Sequence, residues 1–322
     1  MPVNKVLLTG ATGFVGAALL AYLQRHANHS VSIASRSEHS ELGHGCPVFN
    51  LGEFGAQTNW HPALAGVDCV IHLAGRAHVL SQESNTLELF REANTRATLN
   101  LATQAAAQGV KRFIFISSIG VNGAYTTSQP FCESSAPAPH ADYAVSKLEA
   151  ETGLLQIART TEMEVVIIRP PLVYAAHAPG NFRRLLKLVR SGLPLPFGRV
   201  NNSRSMIALE NLVDFVATCI DHPAAANQIF LASDGVDFST GQIIGLLARG
   251  MGRDVALIPF PVSLLSVSAK LLGKQGVYTQ LCGSLQIDSS KARQLLGWAP
   301  PVPAEAAMIR AGQEFSNRTV GS

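Results

Sequence analysis

The chain has 322 residues, of which 47% are hydrophobic and 15% charged, a composition that excludes disorder and suits one large or two modest α/β domains. The formal net charge of +3 is too small, and the basic residues are too scattered, to indicate a nucleic-acid partner. Five widely spaced cysteines without a C-x-x-C pair, and histidines without an H-x-x-x-H pair, predict reduced thiols, a cytoplasmic location and no metal site.

The chain opens with an apolar run over residues 3–8 that predicts a buried parallel strand. Three glycines and an apolar helical pattern over residues 14–26 follow it. Because a strand, a glycine turn and a helix together aim a helix N-terminus at a phosphate, this turn predicts dinucleotide binding rather than a loop of no special purpose. The cofactor-binding residues expected here are Gly10, Thr12, Gly13, Phe14, Val15 and Gly16.

Short β-type runs alternate with helical stretches through the first half of the chain. The predicted strands cover residues 3–8, 31–34, 48–49, 69–73, 112–116 and 165–168, and the predicted helices cover residues 14–26, 83–108 and 143–160. This alternation predicts an α/β fold with a doubly wound parallel sheet, the Rossmann fold. A late strand over residues 228–232 is expected to return to the sheet edge.

The pattern changes after Arg169, where prolines and glycines cluster and the helices become shorter. We therefore expect a Rossmann domain over residues 1–170 and a smaller C-terminal substrate-binding lobe over residues 171–322, with residues 206–235 returning to the Rossmann sheet. The apolar segment 255–272 contains two prolines and a lysine, so it predicts no membrane span. A buried lid or core helix is preferred there over an interfacial helix.

The end of the second predicted strand indicates which nucleotide binds. An NAD-binding fold usually places a carboxylate there for the adenosine ribose, but this chain has Ser35 followed by Arg36. A guanidinium offers a charged fork to a 2′-phosphate, so these two residues favour NADP(H), with NAD(H) possible. The alternative is that Arg36 stacks on adenine or faces solvent.

A tyrosine and a lysine four residues apart begin the helical stretch 143–160. This spacing puts Tyr143 and Lys147 on one helical face, where a cation favours the phenolate and lets the phenol exchange a proton with a substrate oxygen. Ser118, just past the fifth predicted strand, is the expected partner for the same oxygen, with Ser117 in support. A chance surface pair and two loop-capping serines are the alternatives.

The glycine turn in its G-x-x-G-x-x-G spacing, Ser117-Ser118 and the Tyr143–Lys147 pair together resemble the extended short-chain dehydrogenase/reductase family, over nearly the whole chain. The resemblance implies a nucleotide-sugar substrate held by the C-terminal lobe, and a homodimer. The further cofactor contacts that it implies are Asn50, Leu51, Leu73, Ala74, Gly75, Asn94 and Pro171. The substrate contacts that it implies, beside Ser118, are Asn181, Phe182, Phe197 and Arg204.

The chain also departs from the family pattern. Family dehydratases carry an acidic pair directly after the catalytic hydroxyl, whereas Ile119-Gly120 follows Ser118, so 4,6-dehydration is not expected. Asn122, Asp142 and Leu172 stand where a tyrosine, a proline and an asparagine are common. Residues 75–79, 193–198 and 282–288 are similar to bacterial reductases of UDP-4-keto-6-deoxy-N-acetylhexosamines, which supply UDP-N-acetylquinovosamine-type precursors for O-antigen polysaccharide.

The resemblance therefore implies an NADPH-dependent 4-keto reductase. In it Tyr143 protonates the C4 oxygen, Lys147 holds the cofactor ribose and Ser118 polarises the carbonyl. For Arg76 and His78 a sugar contact and a surface role remain equally open. The enzymatic alternative is a UDP-glucose or UDP-GlcNAc 4-epimerase with tightly bound NAD, and a non-catalytic dinucleotide sensor is the alternative of another class.

Overall fold

The structure is a computed structural model that describes residues 3–26, 29–37, 45–77 and 85–318. Its strands are β1 (Lys5–Thr9), β2 (Ser30–Ser35), β3 (Val48–Asn50), β4 (Cys69–His72), β5 (Arg112–Ile116), β6 (Glu164–Arg169), β7 (Leu172–Tyr174), β8 (Arg204–Ala208), β9 (Ile229–Leu231) and β10 (Asp237–Phe238). Its helices are α1 (Phe14–His26), α2 (His61–Leu64), α3 (Thr86–Phe90), α4 (Ala97–Ala107), α5 (Asp142–Thr160), α6 (Gly180–Arg190), α7 (Leu209–Asp221), α8 (Thr240–Gly250), α9 (Val262–Leu271), α10 (Gln275–Cys282), α11 (Ser290–Leu296) and α12 (Ala304–Arg318).

Seven parallel strands form the central sheet in the order β3-β2-β1-β4-β5-β6-β9. Helices cover both faces, which is why the strand residues form continuous apolar runs. Val6 and Leu8 of β1 pack with α1 and α7, whereas Leu7 packs with α4 and α5 on the other face. The predicted doubly wound Rossmann sheet is confirmed.

The strand order reverses between β1 and β4. The chain moves outward from β1 to β2 and β3 and then returns to place β4 on the other side of β1. Ligands bind outside the carboxyl ends of the strands at such a switch point. The fold therefore places a ligand cleft directly above the glycine turn that follows β1.

A smaller sheet and a second core form the C-terminal lobe. β8 pairs parallel with β7 and antiparallel with β10, and α8 packs against α12 beneath them. Of the segment 206–235, β9 pairs with β6 of the large sheet, whereas β8 belongs to the small one. The boundary between residues 170 and 171 stays a prediction.

Two predicted helices differ from those observed. The stretch 83–108 contains α3 and α4, which are joined by a π-helical segment, Arg91–Arg96, while residues 83 and 84 lie outside the described part. The preferred interpretation of segment 255–272 as a buried lid or core helix is wrong, because no residue of α9 is buried. Within the described residues, no helix has both the length and the apolarity needed to cross a bilayer.

Candidate active site

The glycine turn after β1 is packed too closely for side chains. Gly10 has φ +76°, and a β-carbon built on it would lie 2.6 Å from the backbone nitrogen of Ala74 at the end of β4. A β-carbon on Gly16 would lie 2.0 Å from the carbonyl oxygen of Gly10. The amide of Gly13 donates to that same carbonyl at 3.0 Å. The turn therefore presents bare backbone at the N-terminus of α1, which suits a diphosphate.

A cleft of about 580 Å³ opens above this turn. Its lining includes many of the predicted cofactor residues: Gly10, Thr12, Gly13, Ser35, Arg36, Leu73, Ala74 and Gly75. Phe14, Val15, Gly16, Asn50, Leu51, Asn94, Tyr143, Lys147 and Pro171 do not line it. Since the cleft lies at the switch point and its floor is glycine backbone, its residues fit a dinucleotide.

The end of the cleft beside β2 and β3 holds opposite charges. The Arg36 guanidinium is exposed and lies 3.4 Å from the carboxylate of Glu53, which lines the same cleft from the loop after β3. Ser35 is buried, and its backbone carbonyl accepts from the amide of Leu51 at 3.0 Å. The side-chain oxygen of Asn50 accepts from the amide of Gly52 at 3.3 Å and so shapes this loop.

A buried histidine fixes the wall between β1 and β4. The Thr98 hydroxyl donates to the carbonyl of Asn94 at 2.6 Å, so it accepts from Nε2 of His72 at 2.9 Å. Nδ1 of His72 then accepts from the Thr9 hydroxyl at 2.8 Å. Burial lowers the pKa of His72 to about 3, so the ring is neutral. This chain holds the cleft wall in place and offers no proton to a substrate.

Asn94 does not face the cleft. Its amide is held by the backbone of Arg76, accepting from the nitrogen at 2.7 Å and donating to the oxygen at 3.0 Å. It also donates to the Ser146 hydroxyl at 3.1 Å, which ties the loop after β4 to α5. Arg76 itself lines the cleft, whereas His78 lies outside the described residues.

The tyrosine and the lysine lie together at the start of α5. The Lys147 ammonium lies 5.9 Å from the centre of the Tyr143 ring and 4.4 Å from that of Phe115, and it donates to the Ile116 carbonyl at 3.0 Å. A β-carbon on Gly75 would lie 3.5 Å from this ammonium, so the lysine lies directly behind the cleft.

Burial shifts the two groups in opposite directions. It raises the pKa of Tyr143 to about 12 and lowers the pKa of Lys147 to about 8, while the Glu151 carboxylate partly opposes the second shift. The expected acidification of the phenol by its neighbour is therefore outweighed by burial in the free protein. The phenol is protonated at neutral pH, and Lys147 is a cation whose pKa lies only about one unit above that pH.

Ser118 and Ser117 follow β5 but have different surroundings. The Ser118 hydroxyl is half-buried and accepts from the amide of Gly120 at 3.1 Å, so it does cap a short helical turn, Ile119–Val121. A β-carbon on Gly120 would lie 3.3 Å from this hydroxyl and 3.4 Å from the β-carbon of Ala144, which places the Ser118 turn against the first turn of α5.

Ser117 belongs to a buried polar network instead. Its hydroxyl donates to Glu151, whose carboxylate is also bound by Arg169 through two guanidinium nitrogens. The remaining arm of Arg169 donates to the side-chain oxygen of Asn122 at 3.0 Å. Asn122, which departs from the family pattern, is thus the partner of a buried arginine.

The predicted substrate residues occupy varied positions in the lobe. A second cleft, of about 500 Å³, is lined by Phe197, the segment 198–203 and the first turn of α8. Arg204 follows that segment, is mostly buried and donates to the Gly283 carbonyl at 2.9 Å. Asn181 is exposed and accepts from Arg184, whereas Phe182 is buried against Tyr174 in the core of the lobe. The placement of Phe182 makes it a supporting residue rather than a substrate contact.

Two features of the site were missed by the sequence analysis. Glu53 carries no local signal, because its approach to Arg36 depends on the pairing of β3 beside β2. The pair formed by Glu151 and Arg169 could have been suspected, since Glu151 lies one turn after Lys147 on the same face of α5.

The sequence profile of the NAD dependent epimerase/dehydratase family matches residues 6–232. The chain belongs to this family, and it is an enzyme of the nicotinamide-dinucleotide-dependent oxidoreductase and epimerase class. This agrees with the resemblance stated from the motifs.

Similar proteins include sugar epimerases. UDP-glucose 4-epimerase of Vibrio cholerae is 43% identical over 97% of this chain and 95% of its own. N-acetyl-alpha-D-glucosaminyl-diphospho-ditrans,octacis-undecaprenol 4-epimerase of Escherichia coli O157:H7 is 26% identical over 89% of this chain and 88% of its own. The structure of UDP-glucuronic acid 4-epimerase from Bacillus cereus in complex with NAD superposes with a TM-score of 0.77, at 19% identity over 98% of this chain and 99% of that one.

Proposed function

We propose that this protein is a 4-epimerase of a diphosphate-linked hexose, with UDP-glucose or UDP-GlcNAc as the first substrates to test. The observation that carries the proposal is 43% identity over almost the whole of both chains to a UDP-glucose 4-epimerase. The position of Lys147 behind the cleft wall at Gly75, with the Tyr143 ring beside it and the Ser118 turn against the start of α5, supports it. The sequence alone favours a 4-keto reductase with the epimerase as its alternative, and the comparisons support the alternative better.

The three side chains have separate tasks in this reaction. Tyr143 acts as the base in its phenolate form: it takes the proton from the C4 hydroxyl during oxidation and returns it to the C4 oxygen after the keto sugar has rotated in the site. Lys147 supplies the positive charge that a buried phenolate needs, since burial alone raises the pKa of Tyr143 to about 12. Ser118 hydrogen-bonds the C4 oxygen. The glycine turn and Lys147 would hold the dinucleotide, which would supply reversible hydride acceptance at C4 with no net reductant consumed.

For the cofactor we infer NAD(H). Arg36 favours a 2′-phosphate, but Glu53 places a carboxylate 3.4 Å from that guanidinium within the same cleft. A carboxylate accepts hydrogen bonds from ribose hydroxyls and repels a phosphate. The NADP(H) preference drawn from Arg36 alone therefore loses its main support.

The NADPH-dependent 4-keto reductase is the second candidate. The exposed Arg36 guanidinium at the cleft favours it, because a guanidinium offers a charged partner to the 2′-phosphate of NADPH. A reductase exchanges its cofactor at every turnover, whereas an epimerase keeps it bound, so cofactor retention separates the two. The expected homodimer, the cytoplasmic location and a role in O-antigen synthesis stay predictions.

A product assay without added nucleotide tests the proposal. The purified protein is incubated with UDP-glucose and separately with UDP-GlcNAc, and the C4 epimers are measured by proton NMR. We expect interconversion with no net change in absorbance of reduced nicotinamide, and a loss of about 10²–10⁴-fold in Tyr143→Phe. Absence of an epimer, together with NADPH consumption on a 4-keto sugar nucleotide, would establish the reductase instead.

A further inference from the structure

The hairpin of α9 and α10 exposes an apolar surface. Helix α9 carries two apolar stripes: Val262 and Leu265 pack on the core of the lobe, whereas Leu264, Val267 and Leu271 face outward. The outward residues follow the i, i+3, i+7 spacing of one helical face. A helix that is apolar on opposite sides is covered on both sides when the protein works.

The exposure is greatest at the tip of the hairpin. Leu271 and Leu272 are 82% and 69% exposed, and Val277 at the start of α10 is 45% exposed. The hairpin turn closes on itself: the Ser268 hydroxyl donates to the Leu264 carbonyl at 2.8 Å, and the amide of Lys274 donates to the Ala269 carbonyl at 2.7 Å. The start of α10 has no side-chain cap, so its first amides need water or headgroup oxygens, both of which a membrane interface supplies.

The charges of the segment indicate what covers it. Between Val255 and Ile287 the chain has two charged residues, Lys270 and Lys274, and no carboxylate. Both lysines are exposed beside the leucine tip. Apolar side chains flanked by lysines are typical of segments that lie in the interface of an anionic membrane. A symmetric contact with a second copy would bring the lysines together without a carboxylate from this segment to pair with them.

The hairpin is also joined to the lobe next to the second cleft. The Asn202 side chain, which lines that cleft, donates to the Gly283 carbonyl at 3.0 Å and to the Leu281 carbonyl at 3.3 Å at the end of α10. Arg204 donates to the same Gly283 carbonyl. A partner surface that binds the tip of the hairpin would therefore lie close to the second cleft.

We propose that the α9–α10 hairpin docks the protein on an anionic lipid bilayer, with Leu271, Leu272 and Val277 in the acyl boundary and Lys270 and Lys274 at the headgroups. The inference goes beyond the proposed function, because docking does not depend on the reaction that the enzyme catalyses. It revises the preference for a buried helix in segment 255–272 in favour of the interfacial alternative.

Vesicle sedimentation of the full chain tests the proposal. The probes are vesicles of phosphatidylcholine mixed with phosphatidylglycerol and vesicles of phosphatidylcholine alone. We expect the wild type to sediment with the anionic vesicles and the double variant Leu271→Asp, Leu272→Asp to bind at least about thirtyfold more weakly. Leu295→Asp, at an exposed leucine of α11, is the matched control and should bind like the wild type.

A second variant and a second readout keep the test decisive. Lys270→Gln with Lys274→Gln should weaken binding to the anionic vesicles about fivefold per lysine, without loss of thermal stability. Wild type that remains in the supernatant with both vesicles overturns the proposal, as does a double aspartate variant that binds normally. If the proposal is overturned, light scattering measures the mass of the wild type and of the double aspartate variant. A dimeric wild type and a monomeric variant would assign the surface to a second copy of the chain. No readout requires turnover, so failure of the epimerase proposal is a separate result.

Discussion

Lys147 allows a test of the candidate site through protein stability. Its ammonium is buried, donates to the Ile116 carbonyl at 3.0 Å and lies 4.4 Å from the centre of the Phe115 ring. Burial nevertheless lowers its pKa from 10.5 to about 8, so the charge of Lys147 costs the folded protein free energy at neutral pH. Lys147→Met keeps the length of the side chain and removes the charge.

The sign follows from proton binding in the two states. The pKa of the lysine is lower in the folded protein than in the unfolded chain, so the unfolded chain binds the proton more tightly. Below about pH 8 the charge therefore destabilises the fold by roughly 3 kcal/mol, at 1.36 kcal/mol for each pKa unit. The destabilisation decreases as pH rises from about 8 toward 10.5, where the folded lysine is neutral.

The variant loses a hydrogen bond as well as the charge. The pKa shift of Lys147 already includes what the Ile116 carbonyl and the Phe115 ring contribute to the charged form, so the further loss is the hydrogen bond that the neutral amine keeps, about 1 kcal/mol at every pH. We therefore expect Lys147→Met to be more stable than the wild type by about 2 kcal/mol near pH 7. That advantage should fall by about 2–3 kcal/mol on going to about pH 10 and so disappear.

Urea unfolding of both proteins at several pH values measures this difference, since the other titrating groups cancel between them. Lys291→Met is the matched control, because Lys291 donates to the Ile229 carbonyl at 2.9 Å and lies 5.3 Å from the Phe230 ring centre, yet is only half-buried. Burial lowers the pKa of Lys291 too, but this lysine is only half-buried and Glu133 opposes the shift, so its stability difference should vary less with pH than that of Lys147→Met. A stability difference for Lys147→Met that is constant with pH would refute the reasoning.

Two further predictions concern activity and cofactor choice. Since Lys147 has a pKa of about 8 in the free protein, kcat/KM should fall about tenfold per pH unit above that value, and a flat profile to about pH 10 would remove the ammonium from the mechanism. Glu53→Gln should bind NADP(H) more tightly relative to NAD(H) by about tenfold in a fluorescence titration, because a carboxylate no longer opposes the 2′-phosphate at Arg36; an unchanged ratio would exclude Glu53 from the adenosine site.

The parts of the site that the sequence predicted are those with local spacing. The glycine turn needs three glycines within seven residues, and the Tyr143–Lys147 pair needs one turn of helix, so both can be read without knowing the fold. Lys147 lies behind the cleft wall at Gly75 because β1, β4 and β5 are neighbours in the sheet; the βαβ alternation predicts that these strands are parallel.

The parts that were not predicted depend on residues distant in the chain. Glu53 reaches Arg36 only because β3 pairs beside β2, and Phe182 is buried only because the small sheet encloses it. The helical spacing of α9 cannot reveal its exposure, since an apolar helix gives the same sequence pattern whether the protein or a bilayer covers it. Tertiary packing decides such cases.

The buried network behind Ser117 explains why Lys147 stays charged although no carboxylate forms an ion pair with it. Glu151 lies one turn after Lys147, and its carboxylate raises the pKa of the lysine. Arg169 binds that carboxylate through two nitrogens, so Glu151 and Arg169 together carry no net charge. The positive charge of Lys147 is therefore left to act on Tyr143 and on the cleft. If Arg169 were neutral, Glu151 would be free to pair with the ammonium, and the phenol would lose the charge that its ionisation requires.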